Sequence, residues 1–194
     1  MIHTLLKGKQ IILASASPRR KKIFDLIGIK ALQIPANIDE EIFDCSPSKL
    51  VKTHARNKAL EITKKYDSEC VIVAADTIVY QDEQILGKPN NKFDAAKYLT
   101  RLSGTHHFVY TGIAIAYKNQ IYADFAKSYV EFHELSAREI EEYIKTKEPF
   151  DKAGAYGIQG FGSQFIKKIS GCYFNVMGFP VSLFYEMLKK IIIK

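Results

Sequence analysis

The sequence predicts an α/β fold, in which helices flank a β-sheet, and three stretches carry that prediction. The first is a strand–helix–strand succession over residues 10–35. The second is Val71–Ala75, an unbroken apolar run typical of a central strand that is covered on both faces. The third is a pair of alternating segments, His106–Tyr117 and Ile121–Phe132, which indicates a long hairpin.

Length and composition narrow the class of protein. The chain has 194 residues, of which 47% are hydrophobic, enough for one domain with a core or for two closely joined lobes. No run reaches the roughly 18 consecutive apolar residues of a membrane span, and we expect no secretion signal. Its three cysteines form no Cys-x-x-Cys pair, so we expect a reducing, cytoplasmic setting. The net charge of +7 indicates an anionic partner, nucleic acid or a small polyphosphate, although a lysine-rich composition alone also raises it.

The first junction between strand and helix suggests an anion site. A strand over Gln10–Ala14 is followed by small hydroxyl residues, and a helix is predicted from Pro18 to Ile27 with Ser17 as its N-cap. Arg19 and Arg20 then occupy the first helical turn, where the helix dipole disfavours cations. A bound phosphate chain would resolve that conflict; the alternative is a solvated basic helix face.

Two acidic features follow along the chain. Four carboxylates, at Asp39, Glu40, Glu41 and Asp44, could hold a divalent cation or could belong to a solvated loop. The apolar run of the central strand stops at Asp76, and an acidic residue at the carboxyl end of a buried strand is typical of α/β active sites. Thr77–Tyr80 could continue the strand, followed by a turn over residues 81–84 and a short return strand at Ile85-Leu86. The alternative for Asp76 is a cap or turn residue.

Caps predict the remaining helices. They begin at Ser46-Pro47, after Asn91, and at the capping box that starts with Ser136. Lys58 lies off the apolar stripe of the first of these, which favours a solvated position. The glycine-rich stretch Asp151–Gly160 indicates a shaped loop rather than a linker.

Several common catalytic patterns are missing. The sequence contains no phosphate-binding Gly-x-x-x-x-Gly-Lys-Ser/Thr, no Gly-x-Ser-x-Gly and no His-Glu-x-x-His. What it has is an arginine pair at a helix start, an aspartate after a strand, and a lysine and a glutamine next to glycines. That set suits hydrolysis of a phosphate ester better than acyl transfer.

The stretch Leu13–Arg20 resembles the signature of the Maf family of nucleoside triphosphate pyrophosphatases. The resemblance continues in family order through Asp39-Glu40, Arg56–Ala59, Ala75–Thr77, Gly87–Pro89, Leu102–Gly104, Lys152–Gly160 and Gly178–Pro180.

The resemblance implies an elongated mixed sheet flanked by helices, in a single domain of residues 1–194 with two lobes around a central cleft, similar to inosine triphosphate pyrophosphatases. It also implies cleavage between the α- and β-phosphates of dTTP and UTP to the monophosphate and pyrophosphate, with modified pyrimidine triphosphates as further candidate substrates. Gln159 supports this subgroup, because the subgroup acting on 7-methyl-GTP typically has Glu there. A homodimer is plausible by family analogy, and no nucleic-acid or membrane partner is expected.

The family motifs imply roles for individual residues. The phosphates would be surrounded by Ser15, Arg19, Arg20, Lys58, Thr77 and Lys88. Glu40 and Asp76 would hold Mg²⁺ or Mn²⁺, and Asp76 would also be the base. A free aspartate is a weak base, with a pKa of about 3.9, but a divalent metal that lowers the pKa of bound water removes that objection. Gln159 would read the pyrimidine edge.

The chain departs from the family pattern at two positions. His54 stands where the family usually has an apolar residue, and Phe179 where it commonly has leucine. We expect both to affect local packing only.

Two other functions are compatible with parts of the sequence. One is a nucleotide-binding regulator of cell division with little turnover. The sequence weighs against it, because every acidic position of the motifs is filled. A nucleic-acid binder is the other, motivated by charge alone and without a recognition motif.

Overall fold

One mixed sheet, flanked by helices, organises the chain. The computed structural model describes residues 1–39 and 43–193. Within these ranges the strands are β1 (Ile11–Ala14), β2 (Leu32–Gln33), β3 (Val71–Gln81), β4 (Gln84–Leu86), β5 (His106–Tyr117), β6 (Gln120–Phe132) and β7 (Ile166–Ser170). Their order is β2-β1-β3-β5-β6-β7, and β4 pairs with β3. The predicted α/β class and mixed sheet are therefore confirmed.

Helices connect and cover these strands. In the described part of the chain they are α1 (Ile2–Leu5), α2 (Pro18–Leu26), α3 (Pro47–Thr63), α4 (Lys92–Leu102), α5 (Ala137–Lys145), α6 (Tyr173–Val176) and α7 (Val181–Ile192). None of them is both long and apolar enough to cross a bilayer. The predicted caps at Asn91 and Ser136 are confirmed, and the Ser136 capping box forms with both of its hydrogen bonds. The sequence did not predict α1, α6 or β7.

The first of two compact units comprises Met1–Asp76, Thr111–Ala126 and Gly178–Lys194. Its strands β2, β1 and β3 are parallel, and aliphatic side chains of β1, β3, β5 and α3 form its core. Gly112 on β5 allows α3 to lie very close, since a Cβ there would be only 2.2 Å from the carbonyl oxygen of Val51. This close approach sets the position of α3 against the sheet.

The second unit comprises Thr77–Tyr110 and Lys127–Met177. Its strand pairs β3–β4 and β6–β7 are antiparallel, and α4 and α5 pack together beside them. Buried aromatic rings fill its core; those of Phe132 and Tyr156 lie 4.7 Å apart between centroids. The cleft and the single-domain arrangement that the resemblance implies stay predictions.

The central strand does not end at Asp76: β3 continues to Gln81, as the alternative for Thr77–Tyr80 allowed, and the predicted return strand forms as β4. Antiparallel pairing with β4, beginning at Val79, holds this extension in the sheet. The parallel pairing of β3 with β1 nevertheless ends at Ala14 opposite Ala74. Asp76 therefore lies two residues beyond the last pair, where β1 has ended and a functional side chain has room.

Candidate active site

Asp76 lies at the centre of a buried polar cluster. It is 5% exposed, and its two carboxylate oxygens have different partners. Lys58 Nζ lies 2.7 Å from Oδ1, and His54 Nδ1 lies 3.0 Å from Oδ2. Both partners belong to α3 and are four residues apart, so they project from one face of the helix.

This cluster corrects two expectations. Lys58 is not solvated but buried, at 7% exposure, and the charge on Asp76 accounts for its burial. His54 does more than fill space, because it contacts the motif aspartate directly. The spacing of four residues from Lys58 was the signal in the sequence that points to His54.

The cluster keeps Asp76 ionised. Burial by itself would raise the pKa of the Asp76 carboxyl. The hydrogen bond from His54, the charge and hydrogen bond of Lys58 and the charge of Arg20 outweigh burial and hold this pKa well below its usual range. Because an ionised carboxylate only accepts hydrogen bonds, the Nδ1 atom of His54 must carry the proton between the two groups.

Arg20 fixes the turn between β1 and α2. Its Nε donates to the carbonyl oxygen of Gly178 at 2.9 Å, and its Nη1 donates to Ser15 Oγ at 3.1 Å. Ser15 Oγ also accepts from the backbone N–H of Ser17 at 3.2 Å. Ser17 occupies the N-cap position as predicted, but among the described residues its side chain makes no capping hydrogen bond.

Gln33, which the sequence analysis did not single out, supports the same turn from β2. Its Nε2 donates to the carbonyl oxygens of Ser15 and Ser17, at 2.8 and 3.2 Å. Arg19, half-buried, precedes Arg20 in the first turn of α2. The first unit therefore brings Ser15, Arg20, Lys58 and Asp76 close together, and their roles toward phosphate stay predictions.

Three other predicted site residues belong to the second unit. Thr77 is half-buried and follows Asp76 on β3, and Lys88 is exposed just beyond β4. The carbonyl oxygen of Gly87, next to Lys88, accepts from the backbone N–H of Gly154 at 3.0 Å. Gln159 is also exposed. That Lys88 and Gln159 share a ligand with Asp76 stays a prediction.

The loop that carries Gln159 is ordered by a carboxylate that the sequence analysis did not identify. Glu148 Oε1 accepts from the Tyr143 hydroxyl at 3.0 Å and from the N–H of Gly162 at 3.1 Å. Its Oε2 accepts from the N–H of Phe161 at 2.9 Å. Burial, reinforced by the charge of Glu148, raises the pKa of Tyr143, so this hydroxyl stays protonated and donates. The predicted shaped loop is confirmed.

Comparison with known proteins identifies the family. The family model described as "Maf-like protein" matches residues 10–191. The chain belongs to the Maf family.

Its relatives in that family match over nearly their whole length. The dTTP/UTP pyrophosphatase of Clostridium perfringens strain 13 is 43% identical over 184 residues, which cover 93% of this chain and 96% of the relative. The dTTP/UTP pyrophosphatase of Caldicellulosiruptor saccharolyticus is 44% identical over 189 residues, covering 94% and 95%. Among solved structures, the Ham1 protein of Staphylococcus aureus aligns with a TM-score of 0.47 at 16% identity, over 81% of this chain and 80% of that one. A likeness at that level supports no conclusion about activity.

The Maf motif residues expected to hold a metal are only partly described. Glu40 lies outside the described residues, as does Glu41. Residues 1–39 and 43–193 contain no group of three or more His, Cys, Asp or Glu side chains suited to a metal ion. Asp76 could contribute one ligand to a metal ion. Each of its oxygens accepts one hydrogen bond, and since a carboxylate has about four lone-pair sites, lone pairs remain for a metal. An ionised oxygen donor is also the kind that Mg²⁺ and Mn²⁺ prefer.

Proposed function

We propose that this Maf-family chain is a pyrophosphatase that hydrolyses dTTP and UTP to the nucleoside monophosphate and pyrophosphate. The observation that carries the proposal is the buried, ionised Asp76 held by Lys58 and lying in the field of Arg20. The names of the relatives support the same reaction, at about 40% identity over nearly the full length.

Electrostatic complementarity supports a polyphosphate substrate. A nucleoside triphosphate brings about four negative charges, and a guanidinium can grip phosphate oxygens with two parallel hydrogen bonds. Arg20 is held in place by Ser15 and Gly178, so its charge needs little reorganisation when the substrate arrives. Arg19, Lys58 and Lys88 would add charge that faces the negative charge growing on the leaving pyrophosphate.

Asp76 supplies the acceptor for the attacking water. Because its carboxylate stays ionised, it accepts a hydrogen bond from water at any physiological pH and aligns that water for attack. Its low pKa makes it a weak proton acceptor by itself. We propose that Asp76 and Glu40 hold Mg²⁺ or Mn²⁺, which when bound supplies Lewis-acid polarisation of the phosphate.

Gln159 is proposed to select the base. Uracil and thymine present an acceptor, a donor and an acceptor along one edge, and an amide supplies both a donor and an acceptor. The amino group of cytosine would instead face the amide donor. A methyl group contributes only about 1–3 kcal/mol, so we expect both dTTP and UTP to be substrates.

A substrate panel with product identification tests this function. Purified protein is incubated with Mg²⁺ or Mn²⁺ and natural and modified triphosphates, and the products are identified by ³¹P NMR. We expect pyrophosphate and monophosphate in equal amounts from dTTP and UTP, with slower turnover of dCTP and the purine nucleotides. Release of orthophosphate and a diphosphate, or no turnover of any triphosphate, would contradict the proposal.

Two further proposals rest on the family resemblance and on composition. They are a cytoplasmic location and a homodimeric state. Light scattering coupled to gel filtration tests the second, with an expected mass about twice the 22.0 kDa of one chain. A monomer at working concentration would contradict it.

A further inference from the structure

His54 is a buried polar side chain that the proposed reaction does not use. It is 4% exposed, and its imidazole lies edge-on to the ring of Phe43, with 6.1 Å between centroids. Burying a polar ring costs free energy unless a partner compensates. Asp76 provides that compensation at 3.0 Å, which explains why a histidine is tolerated on this face of α3.

The hydrogen bonds to Asp76 define the orientation of its carboxylate. Lys58 contacts Oδ1 and His54 contacts Oδ2, so each oxygen is held from the same helix. The terminal torsion of an aspartate is otherwise broad. With Lys58 alone, the carboxylate plane would retain that freedom, and the hydrogen bond from His54 removes it.

We propose that His54 is a positioning residue, whose Nδ1–H holds Oδ2 and thereby fixes the Asp76 carboxylate in the orientation that the attacking water requires. The proposal rests on the hydrolytic function proposed above, because only there does the orientation of Asp76 affect a rate. His54 lies outside the family motifs, and its role follows from its contact with Asp76. It acts through Asp76 and does not touch the nucleotide.

This role predicts a specific kinetic signature. Removing the hydrogen bond that orients Asp76 should lower kcat, whereas nucleotide binding, and so KM, should change little. A purely structural role would lower stability and would treat similarly shaped replacements alike.

Two variants of nearly equal shape separate these roles. In asparagine, Nδ2 is bonded to Cγ just as Nδ1 is in histidine, so His54→Asn can still donate a hydrogen bond to Asp76 Oδ2. Leucine has a similar branched shape but no hydrogen-bond donor, so His54→Leu cannot. We expect His54→Leu to lower kcat for dTTP by about tenfold or more, with KM within about twofold, and His54→Asn to recover most of that loss. Equal kcat values for the two variants, or a loss that appears only in KM, would overturn the proposal.

A measurement on the metal-free protein keeps this test separate from the proposed function. The imidazole proton on Nδ1 of His54 should give a slowly exchanging ¹H–¹⁵N NMR signal in the wild-type protein and lose it in Asp76→Ala. Absence of that signal in the wild-type protein would overturn the positioning role whatever the enzyme hydrolyses. If the signal is present but no triphosphate is turned over, the proposed function fails and takes the kinetic role of His54 with it.

Discussion

Replacing Lys58 with methionine removes one charge from a buried ion pair and leaves the other behind. Lys58 and Asp76 have side chains only 9% and 7% exposed, and 2.7 Å separates Nζ from Oδ1. Methionine keeps the length and most of the volume of the lysine side chain. The effect should therefore come from the loss of the charge and its hydrogen bond rather than from a cavity.

The magnitude follows from the burial of both partners. Breaking a buried pair by removing one member typically costs about 3–5 kcal/mol, because the remaining charge is left uncompensated. Asp76 keeps His54 as a partner and can take up a proton, so we expect a loss at the lower end, about 3 kcal/mol. Asp76→Asn should cost a similar amount, since it leaves the Lys58 ammonium buried.

A double-mutant cycle measures the coupling. Urea unfolding at pH 7 is followed by circular dichroism for wild type, Lys58→Met, Asp76→Asn and the double variant. We expect the double variant to lose clearly less stability than the sum of the single losses, with a coupling free energy of about 2 kcal/mol. Single losses that add to within about 0.5 kcal/mol would refute the buried pair.

The free energy that the Lys58–Asp76 pair contributes to folding depends on pH and decreases in acid. The folded-state pKa of Asp76 lies below its ordinary value of 3.8, so the pair stabilises the fold fully above that value. The stabilisation is lost as the pH falls below 3.8 through the folded-state pKa. The gap between wild type and Lys58→Met should therefore close in that acid range.

Three further substitutions test other parts of the structure. Gly112→Ala should cost about 1–3 kcal/mol in urea unfolding and should lower kcat, because a Cβ 2.2 Å from the carbonyl oxygen of Val51 would push α3 away. Glu148→Gln replaces a carboxylate that only accepts with an amide whose NH₂ faces donors such as the Phe161 N–H. The free energy of unfolding in urea should fall by about 1–3 kcal/mol, and KM for UTP should rise because the loop that carries Gln159 is disturbed. Burial lowers the pKa of His107 to about 3, so the unfolded chain takes up a proton below pH 6.5 that the folded chain does not. His107 by itself should then lower stability on acidification by at most about 1.4 kcal/mol per pH unit, so urea unfolding at about pH 7.5, 6 and 5 should show a shallower fall for His107→Gln than for wild type.

Local signals in the sequence predicted much of the fold. Caps such as Asn91 and Ser136 marked helix starts correctly, because a cap is an interaction between near neighbours in the chain. Strand β7 carries two lysines in five residues, and pairing with β6 is what makes it a strand. The extension of β3 beyond Asp76 differs from β7, because the polar residues over 81–84 and the apolar Ile85-Leu86 did indicate its turn and its partner strand β4.

Only part of the candidate site could likewise be predicted from the sequence. Family motifs indicated Ser15, Arg20, Lys58 and Asp76, and the structure groups these in the first unit. Three supporting residues lie outside the motifs: Gln33 and His54 contact the residues of this site, and Glu148 holds the loop that carries Gln159. Gln33 and Glu148 bind backbone groups of distant elements, so only the folded chain reveals them, whereas the four-residue spacing of His54 from Lys58 is visible in the sequence.

Pyrophosphate release by Asp76→Asn tests the central claim most directly. The assay compares wild type, Asp76→Asn and Asp82→Asn, a control whose side chain is 80% exposed, at saturating dTTP with Mg²⁺, while calorimetry measures dTTP binding. We expect Asp76→Asn to lower kcat by at least about 100-fold with dTTP still bound, and Asp82→Asn to match wild type. Turnover by Asp76→Asn within about tenfold of wild type would contradict the role assigned to this carboxylate.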